Sequence, residues 1–154
     1  MFKHILVPTD GSTLSAVAAR NTIAFAKSNG ASVTAMTVSL PYRVFTTDYA
    51  MVTDTEEQYD DDCTRRAGEY LGVIREAAQQ AGVAFDALNV FHEQPYAAII
   101  QAAKDRNCDL IAMASHGRKG LQALVVGSVT TKVLTHSTIP VLVWRGEKLL
   151  SAAA

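Results

Sequence analysis

Two hydrophobic periods take turns along this chain from one end to the other. HILVP (4–8) is a short apolar run closed by a proline and reads as a buried strand. From Ser12 the apolar positions recur helically, with Ala16, Ala19, Ile23 and Ala26 on one face, until Asn29-Gly30 supplies a stop. ASVTAMTVSL (31–40) is β-branched and apolar, a second strand, and residues 41–54 carry no clean period and read as an exposed loop. Tyr59, Cys63, Ala67, Tyr70, Ile74, Ala78 and Ala81 then recur at spacings of three and four, a long helix capped by Asp54 or Thr55 and ended by Gly82. VAFDALNVF (83–91) alternates as a strand, and QPYAAIIQAAKDRN (94–107) is helical, with Pro95 in the first turn, where its missing N–H costs nothing. DLIAMAS (109–115) is a fourth strand, GSVTTKVLTHS (127–137) a last helix and PVLVW (140–144) a closing strand.

The order βαβαβαβαβ predicts an α/β fold, an open five-stranded parallel sheet with helices on both faces. At 154 residues the chain fits one domain, expected over 1–146 with a short tail at 147–154. Hydrophobic residues at 49% and charged residues at 19% make it too apolar for a disordered chain. The net charge of −1 offers no basic excess for nucleic acid or anionic lipid, so a functional positive patch has to be local. Cys63 and Cys108 match no zinc or redox spacing and read as reduced, buried thiols. No run reaches the roughly 18 apolar residues of a membrane span. The first hydrophobic run ends at Pro8, short of the roughly 7–15 residues of a secretory core, which sets a cytoplasmic expectation.

In an open parallel sheet, ligands sit outside the carboxyl ends of the strands, where the strand order reverses. VPTDGS, MTVS and MASHGRKG should end there. A phosphate loop needs main-chain N–H groups that can approach an anion, and it gains from a helix start, whose unpaired donors and dipole favour negative charge. Gly117, with Gly127-Ser128 opening the last helix, meets both needs. The Ser128 hydroxyl can donate to a phosphate oxygen, and Arg118 and Lys119 raise the local potential. The alternatives are that Gly117 is a plain turn glycine and Ser128 a plain N-cap. There is no GxxxxGK[ST] and no GxGxxG after the first strand, which argues against a Walker loop and a dinucleotide site.

ILVPTDGS, MASHGRKGLQALVVGSVTTKVL and STIPVLVWR resemble the universal stress protein family, and the likeness covers nearly the whole chain. Nucleotide-binding members carry G-x2-G-x9-G-[ST] between the fourth strand and the last helix. Here Gly117, Gly127 and Ser128 fit the pattern, and Ala114 stands where it has its first glycine. The resemblance implies a Rossmann-like sheet of the adenine nucleotide alpha hydrolase type, strand order 3-2-1-4-5, that binds ATP with Mg²⁺. It implies that Asp10 is the acid near base, ribose or metal, with Pro8 and Thr9 shaping its loop. Val38 and Met113 would flank the adenine. The backbones of Ala114, Gly117, Gly127, Ser128 and Val129 would line ribose and triphosphate, with His116 and Arg118 beside the phosphates. An adenine ring wants apolar walls and phosphates want N–H donors, so each role has its own rationale. Val38 and Met113 are equally readable as core residues at strand ends, and Asp10 as an N-cap of the first helix in competition with Ser12.

His116 has no nucleophile paired with it, and His4, His92 and His136 show no metal spacing. DTEEQYDDD (54–62) reads as acids at the positive end of a helix followed by a solvated face, with a divalent-metal site as the alternative. PTDGS is not the SGGxDS-type loop of pyrophosphate-releasing ligases. An electron-transfer flavoprotein role would need a longer, two-chain protein. PVLVWRG reads as an edge strand that needs covering, and the family resemblance implies a homodimer that pairs 140–144 across a two-fold axis. The function these features point to is nucleotide-dependent regulation or sensing in a stress response. Hydrolysis should be slow at most, for want of an assigned base, an arginine finger or metal ligands beyond Asp10. One alternative is a member that binds no nucleotide and acts through protein contacts of its dimer and the 41–54 loop, a reading that Ala114 favours. Another is an enzyme with real turnover through His116 or Asp10.

Overall fold

The computed structural model describes residues 1–43, 55–116 and 126–146. Along them run β1 (His4–Pro8), α1 (Thr13–Asn29), β2 (Ser32–Ser39), α2 (Glu56–Ala81), β3 (Phe85–Phe91), α3 (Pro95–Asp105), β4 (Leu110–Ala114), α4 (Ser128–His136) and β5 (Val141–Trp144). The five strands form one sheet in the order β3-β2-β1-β4-β5, and every pairing is parallel. The elements are those the sequence predicts, with ends one or two residues tighter, where helix and strand ends fray.

β1 is central, and Ile5, Leu6 and Val7 are each fully buried. A strand covered on both faces needs apolar side chains at successive positions, which is why HILVP is a continuous run rather than an alternation. Ile5, Val7, Val33, Ala35, Leu110 and Ala112 face one cluster with Ala19 and Ile23 of α1 and Leu71, Ile74 and Ala78 of α2. Leu6, Met36, Ile111 and Met113 face the other, with Ile99 and Ala103 of α3 and Val133 of α4. Burying each large side chain stabilises the fold by roughly 1.5–3 kcal/mol, so the two layers hold the sheet from both sides.

Local signals set the element ends. Ser12 caps α1 by accepting from Ser15 N, and Thr55 caps α2 in a reciprocal capping box with Gln58. Gly30 and Gly82 close these two helices, as the sequence predicts. Pro95 occupies the first turn of α3. At the amino edge of the sheet the Asp109 carboxylate accepts from Lys3 N at 2.8 Å and His4 N at 3.0 Å, tying the start of β1 to the start of β4. On β5, Trp144 Nε1 donates to Thr22 Oγ1 of α1 at 2.9 Å, anchoring the last strand to the layer beneath it.

One expectation about α2 is corrected. Counting by threes and fours puts Tyr70 in the buried stripe, but the deeply buried residue is Leu71, 7% exposed, and Tyr70 is half-buried beside it. From Ala67, a step of three or of four is equally helical, and the more apolar side chain takes the core. Ala81, the last position of the stripe, is partly buried against the same cluster. Cys63 and Cys108 are buried free thiols. No helix among the described residues is long and apolar enough to cross a membrane.

Candidate functional site

The chain leaves β1 towards β2 on one side, and β4 takes the place on the other, so the strand order reverses between β1 and β4. A parallel sheet opens a crevice at the carboxyl ends of such a pair. Pro8 ends β1 opposite Met36, and Thr9 carries the chain on, its N–H donating to Met36 O at 2.8 Å. Thr9 is buried, and its hydroxyl pairs with Ser15 Oγ at 2.9 Å and accepts from Gly11 N at 3.2 Å. Thr37 Oγ1 donates to Thr9 O at 3.2 Å, a second bond from Thr9 to β2. Asp10 lies exposed at the top of this turn, with Oδ1 accepting from Ser12 N at 3.0 Å. The cap of α1 is therefore Ser12, and Asp10 shapes the turn that precedes it.

Across the crevice, Met113 and Ala114 end β4, and Ser115 and His116 follow, all four buried. Gly127 N donates to Ser115 O at 2.7 Å, and Thr130 Oγ1 donates to Ala114 O at 2.9 Å. These two bonds hold the first turn of α4 against the end of β4. Gly127 is the N-cap, and among the described residues no side chain caps the helix. Ser128 is thus the first helical residue and not the cap. The N–H groups of Ser128, Val129 and Thr130 belong to the helix turn that lacks carbonyls four residues back, so they present donors and the positive end of the dipole. Ser128 is exposed and Val129 half-buried.

The His116 ring is oriented by Ser115, Oγ to Nδ1 at 2.8 Å. Its Nε2 is buried and has no partner among the described residues. When the Ser115 hydroxyl donates to Nδ1, the neutral ring carries its proton on Nε2 and offers a donor there. Val38 and Met113 stand on the same face of the sheet, on opposite sides of β1, against the cluster that α3 and α4 cover. Met113 is a core residue in its own right, 5% exposed, whereas Val38 is only partly buried. Gly117 and Arg118 lie outside the described residues. Lys119, most of the 41–54 loop, Asp54 and the 147–154 tail do so too.

Asp10 is the carboxylate at this crevice, and among the described residues no group of three or more His, Cys, Asp and Glu is placed to hold a metal ion. A cation here would depend on oxygens of a bound phosphate as well as on Asp10, a common arrangement for Mg²⁺. In the acidic run, Thr55 caps α2, Glu56 and Glu57 occupy its first turn, and Asp62 pairs with Arg65 on the surface. His4 bonds Thr34 Oγ1 at 2.8 Å, His92 accepts from Gln94 N, and His136 packs on Tyr96. Each of these histidines has structural company away from the crevice.

A cavity of about 380 Å³ lies at the opposite, amino edge, between Lys3, Lys27, Ser32 and Val83. α1 and α2 end there, and the carbonyl ends of two helices disfavour an anion, so the strand-end crevice is the better phosphate site. Sequence reasoning missed three contributors to that crevice: Ser115, Thr130 and the packing of Tyr70 on Gly11. Thr130, in the first turn after Gly127, was the one with a readable signal, since hydroxyls there reach neighbouring main-chain groups.

The universal stress protein family model matches residues 1–145. The chain belongs to the universal stress protein family. It is similar to the universal stress protein YxiE of Bacillus subtilis, 30% identical over 94% of this chain and 100% of that protein. Among solved structures it is similar to the Methanocaldococcus jannaschii protein MJ0577, with a TM-score of 0.79 at 27% identity, covering 96% of this chain and 99% of the other. It also shares its fold with a universal stress protein solved in complex with cAMP, at a TM-score of 0.66 and 20% identity over 94% and 97% of the two chains.

Proposed function

We propose that this universal stress protein binds an adenine nucleotide, ATP with Mg²⁺, across the β1–β4 crevice and uses it for regulation or sensing in a stress response. The observation that carries the reading is the start of α4. Among the described residues no side chain caps the first-turn N–H groups at Gly127, and two hydrogen bonds hold that turn at the carboxyl end of β4. Main-chain donors of this kind bind phosphate oxygens without needing a lysine cradle. Support for adenine comes from the apolar faces of Val38 and Met113 and from the fold-sharing protein solved with cAMP. Asp10 takes the ribose, base or metal, with Pro8 and Thr9 setting its position, and His116 offers Nε2 beside the phosphates. Ala114, Gly117, Gly127, Ser128 and Val129 supply backbone, and Arg118 supplies charge. Bound Mg²⁺ would neutralise phosphate charge. No base is paired with an attacking water in this reading, so hydrolysis is slow. The protein acts in the cytoplasm as a single domain of residues 1–146 with a short tail, paired through β5 into a homodimer.

A second reading is a family member without nucleotide that works through protein contacts, and Ala114 is the residue that favours it. Strand alternation turns its methyl towards the α1 side, away from the face that Met113 shares with Val38, which weakens the objection. Mass spectrometry of small molecules released from the purified, denatured protein separates the two. Stoichiometric adenine nucleotide supports the proposal, and a clean solvent front in protein that also fails to take up added ATP counts against it.

A further inference from the structure

The turn that carries Asp10 is held from a direction no nucleotide contact explains. Gly11 has φ +78°, and a Cβ built on it would fall 2.3 Å from Cζ, 2.4 Å from Cε1 and 2.6 Å from Cδ1 of Tyr70. The Tyr70 ring therefore lies directly on the Gly11 backbone, a contact that only glycine permits, through its left-handed conformation and its missing side chain together. Tyr70 is fixed in turn by α2, whose Leu71 and Ile74 are deep in the cluster beneath the sheet. Around the ring an open crevice of about 180 Å³ runs between Ala16 of α1 and Glu69 and Val73 of α2. The ring is thus packed against the turn on one side and has free volume beside it.

We infer that Tyr70 is a positioning residue for nucleotide binding, acting through Gly11 on the Thr9–Ser12 turn and so on the Asp10 carboxylate. The inference rests on the nucleotide reading above. Turn and ring meet on the face of the sheet that α1 and α2 share, and α2 is the rigid element that carries the ring. Truncating the ring joins its volume to the existing crevice, so neighbouring groups have no reason to close in and the turn gains freedom. A turn that must be ordered on binding weakens the ligand, because ordering opposes association.

The test compares Tyr70→Ala and Tyr70→Phe with wild type in two measurements. Calorimetric titration with ATP and Mg²⁺ should show Tyr70→Ala binding about tenfold more weakly, within the range by which residues that touch no ligand modulate affinity. Tyr70→Phe, which keeps the ring, should stay within about twofold of wild type. Amide hydrogen exchange in nucleotide-free protein should speed up at Gly11 and Ser12 in Tyr70→Ala while β1 stays protected, a local effect that a general loss of stability would not give. Unchanged exchange at those two amides overturns the inference, even if wild-type protein binds no ATP, which would sink the nucleotide reading separately. Wild-type affinity in Tyr70→Ala overturns it as well, and so does Tyr70→Phe failing as badly as alanine.

Discussion

Replacing Gly127 with valine should separate binding from folding. The residue has φ −62° and ψ 158°, extended backbone open to any side chain, so Gly127→Val requires no change of path. Its N–H still reaches Ser115 O, the 2.7 Å bond that joins helix to strand. The folding penalty is the exchange of a fair N-cap residue for a poor one, about 1 kcal/mol, or about 2–4 °C in Tm for a chain of this size. Binding suffers more. An N-cap side chain lies over the N–H groups of the second and third helical residues, so the valine branches would stand in front of Val129 and Thr130 where a phosphate oxygen belongs. A hydrogen bond to a charged group contributes about 1.5–3 kcal/mol, and losing two of them weakens ATP by roughly 10²–10⁴-fold. Isothermal titration with ATP and Mg²⁺ reads the affinity, and thermal unfolding without ligand reads the fold. Gly127→Ser gives a companion with the opposite pattern: its hydroxyl caps the helix, raising Tm slightly while competing with phosphate. A valine variant that melts within a few degrees of wild type and still binds ATP within threefold would refute the assignment of phosphate to this helix start.

Three further outcomes test other parts of the structure. Burial opposes charge on Asp109, but the N–H groups of His4 and Lys3 outweigh it and hold the carboxyl below its ordinary 3.8. A depressed acid stabilises fully above its ordinary range and loses that contribution as pH falls through the lowered value. The urea-midpoint gap between wild type and Asp109→Asn should therefore be widest near neutrality and vanish in strong acid. Burial pushes the Cys108 thiol up to about 11, with the charge of Asp109 adding to it, so a disulfide reagent at pH 8 should react with it only after urea is added. Pairing of Val141–Trp144 across a two-fold axis predicts sedimentation at twice the chain mass at micromolar concentration, and a charged residue at Val143 should return single chains.

The fold was readable because its strands announce themselves. β1 is buried on both faces and so is apolar at consecutive positions, and the helices carry caps such as Thr55 and Gly82. β3 at the sheet edge does not keep the expected alternation, since Phe85 and Ala87 pack on one face and Leu88 and Val90 on the other. What the period could not decide was Tyr70 against Leu71, since both fit one turn after Ala67 and only packing against β1 and β2 distinguishes them. The site was readable where it depends on residue type: Gly127 at a helix start, Asp10 after β1, apolar residues at strand ends. It was not readable where it depends on contacts between distant segments. A first-turn hydroxyl at Thr130 is visible in the sequence, but nothing local tells that its acceptor is Ala114 O, or that a tyrosine on α2 rests on Gly11. Ser12 and Asp10 were interchangeable as caps in the sequence, and only the bond from Ser15 N selects Ser12.

The most direct measurement is calorimetric titration of the full chain with ATP in the presence of Mg²⁺. Saturable heat at one nucleotide per chain, lost on Gly127→Val, is the predicted result. A flat trace up to millimolar nucleotide, from protein first shown to be folded and free of carried-over ligand, would contradict it.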